Sequence, residues 1–305
     1  MDSCCCVVCV FTTQFTKQFY TPKMKTAIAS LPRNPDFSFM HEFALAHFRP
    51  SQENAAWQAT SPFIPDVALL VVHVIFAAFT SGVIIFSGID EVGGPKWFIY
   101  LTNWGYLSIV LSSIGFVAVC VHRLRLRQSL VRLQTSSEEL EQSLSAWRWF
   151  HSAQQITFTI ALDLGIVITG LYWSLLEPKG SFLDISTHAL NAAMTILQLC
   201  LSHFKLNLLH TVYPVGVAAT YLIVSYVYTV LGGTNTTGQA YVYAPLDWKN
   251  KPGSAAALAV PAALVAVPLV HFIVFGIMKI RVAIARHTYT RMGRGDGNNH
   301  AMGEV

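Results

Sequence analysis

Charged side chains are scarce in this chain: Asp, Glu, Lys and Arg together make up 12% of its 305 residues, against roughly 25% in a soluble domain. Hydrophobic residues make up 53%, and the mean hydropathy is +0.47. This composition excludes an ordinary soluble domain and indicates an integral membrane protein with membrane lipid around it. The net charge is only +4, and the basic residues do not alternate with aromatic residues, so we expect no nucleic-acid partner.

The chain also lacks the short motifs of soluble catalytic sites. It has no Gly-rich phosphate loop, no H-E-x-x-H helix and no G-x-S-x-G elbow. Its histidines are scattered in depth along the apolar runs, whereas haem in a multi-span protein needs histidines paired at matched depths. We therefore expect neither a metal nor a cofactor.

Cysteines are few and unsuited to a disulfide framework, because four crowd the N-terminus and the other two lie in apolar runs. The first residues lack a basic region and a cleavage site, so residues 1–64 are expected to form a retained cytosolic tail. A cysteine cluster in such a tail suits S-palmitoylation, while zinc or redox chemistry and no role at all stay open as alternatives. The four residues are Cys4, Cys5, Cys6 and Cys9.

Apolar windows of about 20 residues, the length that crosses a bilayer, predict an all-α membrane domain with six transmembrane helices over residues 65–278. The fourth window is the weakest because it contains several polar residues, and five or seven spans stay open as alternatives to six. A basic tail, 279–305, follows the sixth. The predicted spans are 65–86, 97–121, 154–176, 182–201, 208–231 and 255–278.

Lys and Arg are distributed unequally between the two predicted faces. With both ends cytosolic, sixteen lie on the inner side and four, Lys96, Lys179, Lys249 and Lys251, on the outer side. This asymmetry favours an even number of spans and this orientation. The outer connection 232–253 then carries the sequon at Asn235, a candidate glycosylation site.

Four polar residues fall in one outer layer of the predicted bundle. At about 1.5 Å per residue, Thr102 and His188 both lie roughly 8–9 Å below the outer face, and Asn103 and Asn191 lie beside them. A histidine can take the proton of a threonine hydroxyl, which makes acyl transfer or hydrolysis of a lipid-like substrate one reading. The other reading is that these groups only form hydrogen bonds between helices.

Two ionisable residues lie deeper in the predicted bundle. Asp163 is near mid-depth in the third span, and His73 is at a comparable depth in the first. Such a pair could relay protons or orient another histidine, or it could be structural.

Four stretches resemble the rolling stone family of multi-span membrane proteins, over about residues 60–285. The most specific is the last, in which a Gly-Gly turn precedes an aromatic Y-x-Y-x-x-x-D-W pattern. The resemblance implies a multi-pass protein of the plasma membrane or an endomembrane, in a family associated with myoblast fusion. The stretches are YLTNWGY (100–106), LYWSLL (171–176), THALNAAM (187–194) and YTVLGGTNTTGQAYVYAPLDW (228–248).

More distantly, the chain is similar to the androgen-induced membrane hydrolases, which cleave fatty acid esters with a threonine and a histidine. That resemblance implies Thr102 as nucleophile, His188 as base, and Asn103 or Asn191 as an oxyanion or orienting donor. The chain departs from that family's pattern at Asn191, where the pattern has a second histidine. The sequence therefore leaves two alternative functions. One is a non-catalytic cell-surface or fusion role through residues 232–253, and the other is intramembrane hydrolysis of fatty-acyl esters.

Overall fold

In the computed structural model, the described residues are 58–90, 94–134, 136, 139, 142–144, 146, 148–176 and 180–300, with side chains as far as 287. These residues are helical and contain no β-strand. The α-helices are α1 (Asp66–Asp90), α2 (Leu101–Arg132), α3 (Trp149–Leu175), α4 (Phe182–Ile185), α5 (Asn191–Leu201), α6 (Val212–Val230), α7 (Pro252–Pro261) and α8 (Val267–His300). The 3₁₀ helices are Gly94–Ile99, Leu208–Thr211 and Ala244–Leu246. The π-helical segments are Ser186–Leu190 and Ala262–Ala266.

Five helical stretches of the described chain are long and apolar enough to cross a membrane. They are Asp66–Ile89, Leu101–Arg132, Trp149–Leu175, Leu208–Val230 and Pro252–His287. The all-helical, multi-pass membrane fold is therefore confirmed. The predicted cysteine cluster and the last residues of the C-terminal tail lie outside the described residues.

Two predicted spans continue as helix beyond their apolar windows. Helix α2 runs eleven residues past the predicted end at 121, and α3 begins at Trp149, five residues before the predicted start. Hydropathy marks only the apolar part of a helix, and residues 122–132 contain no Gly or Pro to end it. Arg123 and Arg127 in this extension each lie 3.8 Å from the carboxylate of Asp66 at the start of α1.

The weakest predicted span is helical throughout, as α4, a π-helical segment and α5 in succession. Most of its polar residues are buried, and two of them form hydrogen bonds with other helices. Asn191 accepts a hydrogen bond from Thr169 Oγ1 of α3 (2.8 Å), and Gln198 Nε2 donates to Ser113 Oγ of α2 (3.4 Å). Low hydropathy here thus reflects burial against protein rather than exposure to water.

Helices α2 and α3 pack closely because small residues let them approach. A Cβ at Gly115 would lie 1.8 Å from Gln154 Oε1, and one at Gly105 would lie 2.4 Å from Ile168 Cδ1. Below this contact, a cluster of buried aromatic rings fills the core. It contains Phe116, Phe158 and Phe204, with Leu162, Leu199 and Val274 around them.

The residues just before α1 pack against the helices rather than lying free as part of a tail. Gln58 is 1% exposed, and its Nε2 donates to the carbonyl of His151 (3.2 Å). Thr60 Oγ1 forms a hydrogen bond with His203 Nδ1 (2.9 Å). Burial, together with the charges of Arg281 and Arg123, lowers the pKa of His203 to about 3, so this imidazole is neutral at physiological pH.

The chain divides into two compact units. One comprises Glu42–Ala283 and holds all the side chains discussed below. The other comprises Met1–His41 and Ile284–Val305, of which the described part is the end of α8.

Candidate functional site

A cavity of about 110 Å³ lies where the start of α2 meets α3, α6 and α7. Its wall is apolar, and leucine, valine, isoleucine and alanine side chains supply most of it. Tyr243 and the adjoining Pro245 and Leu246 close the side formed by the connection 232–253, which we call the outer loop. Thr102, one of the predicted site residues, lines the cavity.

Three hydroxyl groups meet at this cavity: those of Thr102, Tyr221 and Tyr243. The Tyr243 hydroxyl faces the Thr102 side chain and accepts a hydrogen bond from the Thr102 backbone N–H (3.5 Å). Tyr221 lies within hydrogen-bonding reach of Tyr243 and donates to the carbonyl of Ile99 (3.0 Å). Burial raises the pKa of Tyr243, so its hydroxyl keeps its proton at physiological pH.

His188 lies on the π-helical segment 186–190 and not in the cavity wall. Its ring stacks on Tyr172 with centroids 3.5 Å apart, and its carbonyl accepts from Trp173 Nε1 (2.9 Å). Its Nδ1 is buried and has no hydrogen-bond partner in the described part of the chain. Tyr172 does line the cavity, but no hydrogen bond joins Thr102 to His188 among the described residues.

The two asparagines predicted to orient a substrate are both occupied by structural hydrogen bonds. Asn103 Nδ2 donates to the carbonyl of Trp97 (2.7 Å) and so ties the preceding 3₁₀ helix to α2. Asn191 Oδ1 accepts from Thr169 and from the backbone N–H of Ala192 (2.6 Å). The structure thus distributes the four predicted residues over separate contacts, and their catalytic role stays a prediction.

Asp163 pairs with His271 of α8 rather than with His73. Asp163 Oδ2 lies 2.7 Å from His271 Nδ1, and His271 Nε2 lies 3.0 Å from the carbonyl oxygen of Asn207. A carbonyl only accepts, so Nε2 carries a proton and Asp163 shares a second proton with Nδ1. His73 stacks on Phe116 instead (4.4 Å, 1° between planes).

Arg281 is a buried residue that sequence reasoning placed among cytosolic basic residues. It is 5% exposed, and its guanidinium donates to three carbonyls at and after the end of α5: those of Leu199 (2.7 Å), Ser202 and Phe204 (2.8 Å). Carbonyls at a helix C-terminus carry partial negative charge. The one signal in the sequence is its spacing, three residues after the buried Met278 on the same helix.

The outer loop is held to the helices by side-chain hydrogen bonds at several points. Lys96 Nζ donates to Thr234 Oγ1 (2.8 Å) and to the carbonyl of Asn235 (3.0 Å). Tyr228 donates to the carbonyl of Thr234 (2.8 Å), and Trp248 Nε1 donates to Ser225 Oγ (3.2 Å).

Two short turns shape the outer loop. Asn235 Oδ1 accepts from the backbone N–H groups of Thr237 (3.0 Å) and Gln239 (2.8 Å), and its Nδ2 donates to Gln239 Oε1 (3.1 Å). A glycan at Asn235, which remains a prediction, has to replace that last bond. In the second turn, hydrogen bonds from Asn250 lower the pKa of Asp247.

Comparisons with known proteins identify relatives of this chain. The family described as Protein rolling stone matches residues 36–293. Protein rolling stone of Drosophila melanogaster is 32% identical over 185 residues, which is 58% of this chain and 65% of that relative. The chain therefore aligns with less than two thirds of the relative's length. No solved structure matches.

Proposed function

This chain belongs to the rolling stone family, and from that premise we propose that it acts non-catalytically at the cell surface through its outer loop. In this proposal it crosses the membrane six times with both ends in the cytosol. The outer loop, residues 232–253, then faces the exterior. Its exposed turn residues form the contact surface for a protein on an apposed membrane.

Two observations support the six-span topology. The continuous helical stretch from α4 to α5 is long enough for a hydrocarbon core of about 30 Å, and two of its polar residues, Asn191 and Gln198, form hydrogen bonds with α3 and α2. An even number of crossings also keeps all sixteen inner Lys and Arg residues on one side.

The observation that carries the functional proposal is the bracing of the outer loop. Lys96 reaches it from the connection between α1 and α2, and Tyr228 reaches it from α6. Thr236, Thr237 and Lys249 of the outer loop are exposed. A surface loop held in one shape loses little conformational entropy on binding, which favours recognition.

The hydrolase alternative has less geometric support. A threonine nucleophile needs a base within hydrogen-bond reach, yet Thr102 lines the cavity beside Tyr243, while His188 lies outside the cavity wall and stacks on Tyr172.

The proposal is tested by measuring the aggregation of suspended cells that express the full chain at equal surface levels. We expect the double variant Lys96→Met/Tyr228→Phe, which removes the braces, to aggregate cells several-fold less than the unaltered chain. The matched variant His188→Phe keeps a ring against Tyr172 but removes the predicted base, and it should aggregate cells as well as the unaltered chain. Loss of aggregation with His188→Phe, and not with the brace variant, would contradict the proposal.

A further inference from the structure

The cavity beside Thr102 offers a binding site that goes beyond the proposed surface role. It is half-open: Ala263 on its inner wall is 3% exposed, whereas Leu175, another lining residue, is 43% exposed. Leu175 lies within the predicted span 154–176, so in the proposed membrane arrangement its exposed side chain faces lipid. A lipid chain can therefore enter from the bilayer.

The size of the cavity limits what it can hold. An apolar cavity of roughly 150 Å³ accommodates a molecule the size of benzene, and this one measures about 110 Å³. The cavity therefore fits a short section of one hydrocarbon chain and is too small for a ring system or for two chains side by side. The rest of such a chain would continue past Leu175 into the bilayer.

The chemistry of the wall limits the head group. The described residues that line the cavity include no charged side chain, and burying an ionised group without a partner is costly. The hydroxyls of Thr102, Tyr221 and Tyr243 meet at the wall, and each hydroxyl oxygen can accept or donate beyond its present bonds. These groups suit a neutral partner that both donates and accepts a hydrogen bond.

We propose that this cavity binds a neutral single-chain lipid with a hydroxyl head group, which hydrogen-bonds to Tyr243 and Thr102. The first carbons of the chain occupy the apolar cavity between α3 and α7. No bond is made or broken, because the described residues that line the cavity include no histidine, carboxylate or lysine that could act as a base on Thr102.

The test is photolabelling of the full chain in phosphatidylcholine vesicles, with hexadecanol that carries a diazirine near its hydroxyl end. We expect labelled residues on α3 between 171 and 176 and on α7 near Leu258. Ala259→Phe fills the cavity and should lower this labelling about tenfold. Ala257→Phe, on the exposed side of the same helix, is the matched control and should label normally.

A second comparison examines the head group. Tyr243→Phe removes one hydrogen bond, which corresponds to a loss of up to about tenfold for the alcohol probe. Labelling by the same diazirine hydrocarbon without a hydroxyl should not change, and ionised diazirine palmitate should label the site weakly. Equal labelling of all variants by both neutral probes means only general contact with bilayer lipid and would overturn the proposal.

A competition experiment on the unaltered chain tests the site without depending on whether Ala259→Phe folds. Excess unlabelled hexadecanol should suppress photolabelling, while excess hexadecane should do so much less. If neither competes, or if both compete equally, no hydroxyl-selective site exists and the proposal fails.

Discussion

Replacing Arg281 by alanine is expected to destabilise the folded protein by roughly 3–5 kcal/mol. The substitution removes the donor shared by three backbone carbonyls, and it leaves those of Leu199, Ser202 and Phe204 without this partner. A buried acceptor without a partner costs about 1–3 kcal/mol. The loss of stability is large because a single side chain forms hydrogen bonds to carbonyls both at the end of α5 and in the turn that follows.

The measurement is the apparent melting temperature in detergent, taken from the fraction of protein that stays monodisperse after heating. We expect Arg281→Ala to lower it by roughly 10 °C. Lys279→Ala removes a positive charge two residues earlier, from an exposed side chain 4.8 Å from the centre of the Phe275 ring. It should lower the melting temperature much less, since an exposed cation–π contact contributes about 0.5–1 kcal/mol. Equal effects of the two substitutions would show that charge rather than burial matters.

Breaking the pair between Asp163 and His271 is the second large effect that we expect. Both side chains are almost fully buried, at 0% and 1% exposed. Asp163→Ala leaves His271 Nδ1 without its partner, and the expected cost is roughly 3 kcal/mol. Asp163→Asn keeps a group that can donate to a neutral Nδ1, so its cost should be about 1 kcal/mol.

Two phenylalanine substitutions distinguish the contribution of a hydrogen-bonded histidine to stability from that of a histidine that is only buried. His271→Phe should lower the melting temperature markedly, because it leaves the Asp163 carboxyl and the Asn207 carbonyl without the imidazole. His73→Phe should be nearly neutral, since both ring nitrogens of His73 lack a hydrogen bond within the described chain and phenylalanine keeps the stack on Phe116. In a double-mutant cycle, Asp163→Ala with His271→Phe should cost less than the sum of the two. Strict additivity would contradict the pairing.

The membrane fold could be predicted from the sequence because bilayer thickness fixes the length of an apolar helix. Helices α1, α2 and α3 lie where the hydropathy windows place them. The helix ends could not be predicted in this way, as α2 shows, because helix-forming residues continue into the aqueous region.

Most of the contacts between side chains on different helices could not be predicted from the sequence. Depth arithmetic gives the height of a residue on its helix but not the direction in which it points. Thr102 and His188 were placed at one level, yet they contact different tyrosines. Asp163 pairs with His271, a residue that sequence reasoning did not place beside it.

Tyr221 and Tyr243 were missed as site residues for a related reason. Tyr243 follows a predicted span, where tyrosine is typical of the interfacial belt. Tyr221 lies in the middle of the predicted span 208–231, where a single tyrosine does not indicate a cavity. Nothing in the local sequence distinguishes a tyrosine facing headgroups from one that closes a cavity.

The most direct test of the six-span arrangement, on which the surface role depends, is labelling of single introduced cysteines with a membrane-impermeant maleimide. We predict that Lys179→Cys and Lys249→Cys react in intact cells, whereas Lys205→Cys reacts only after permeabilisation. The unaltered chain is the control: Cys120 is buried, Cys200 is half-buried, and the N-terminal cysteines are predicted to be cytosolic. Reaction of Lys205→Cys in intact cells, or none at Lys179→Cys and Lys249→Cys until permeabilisation, would contradict this account.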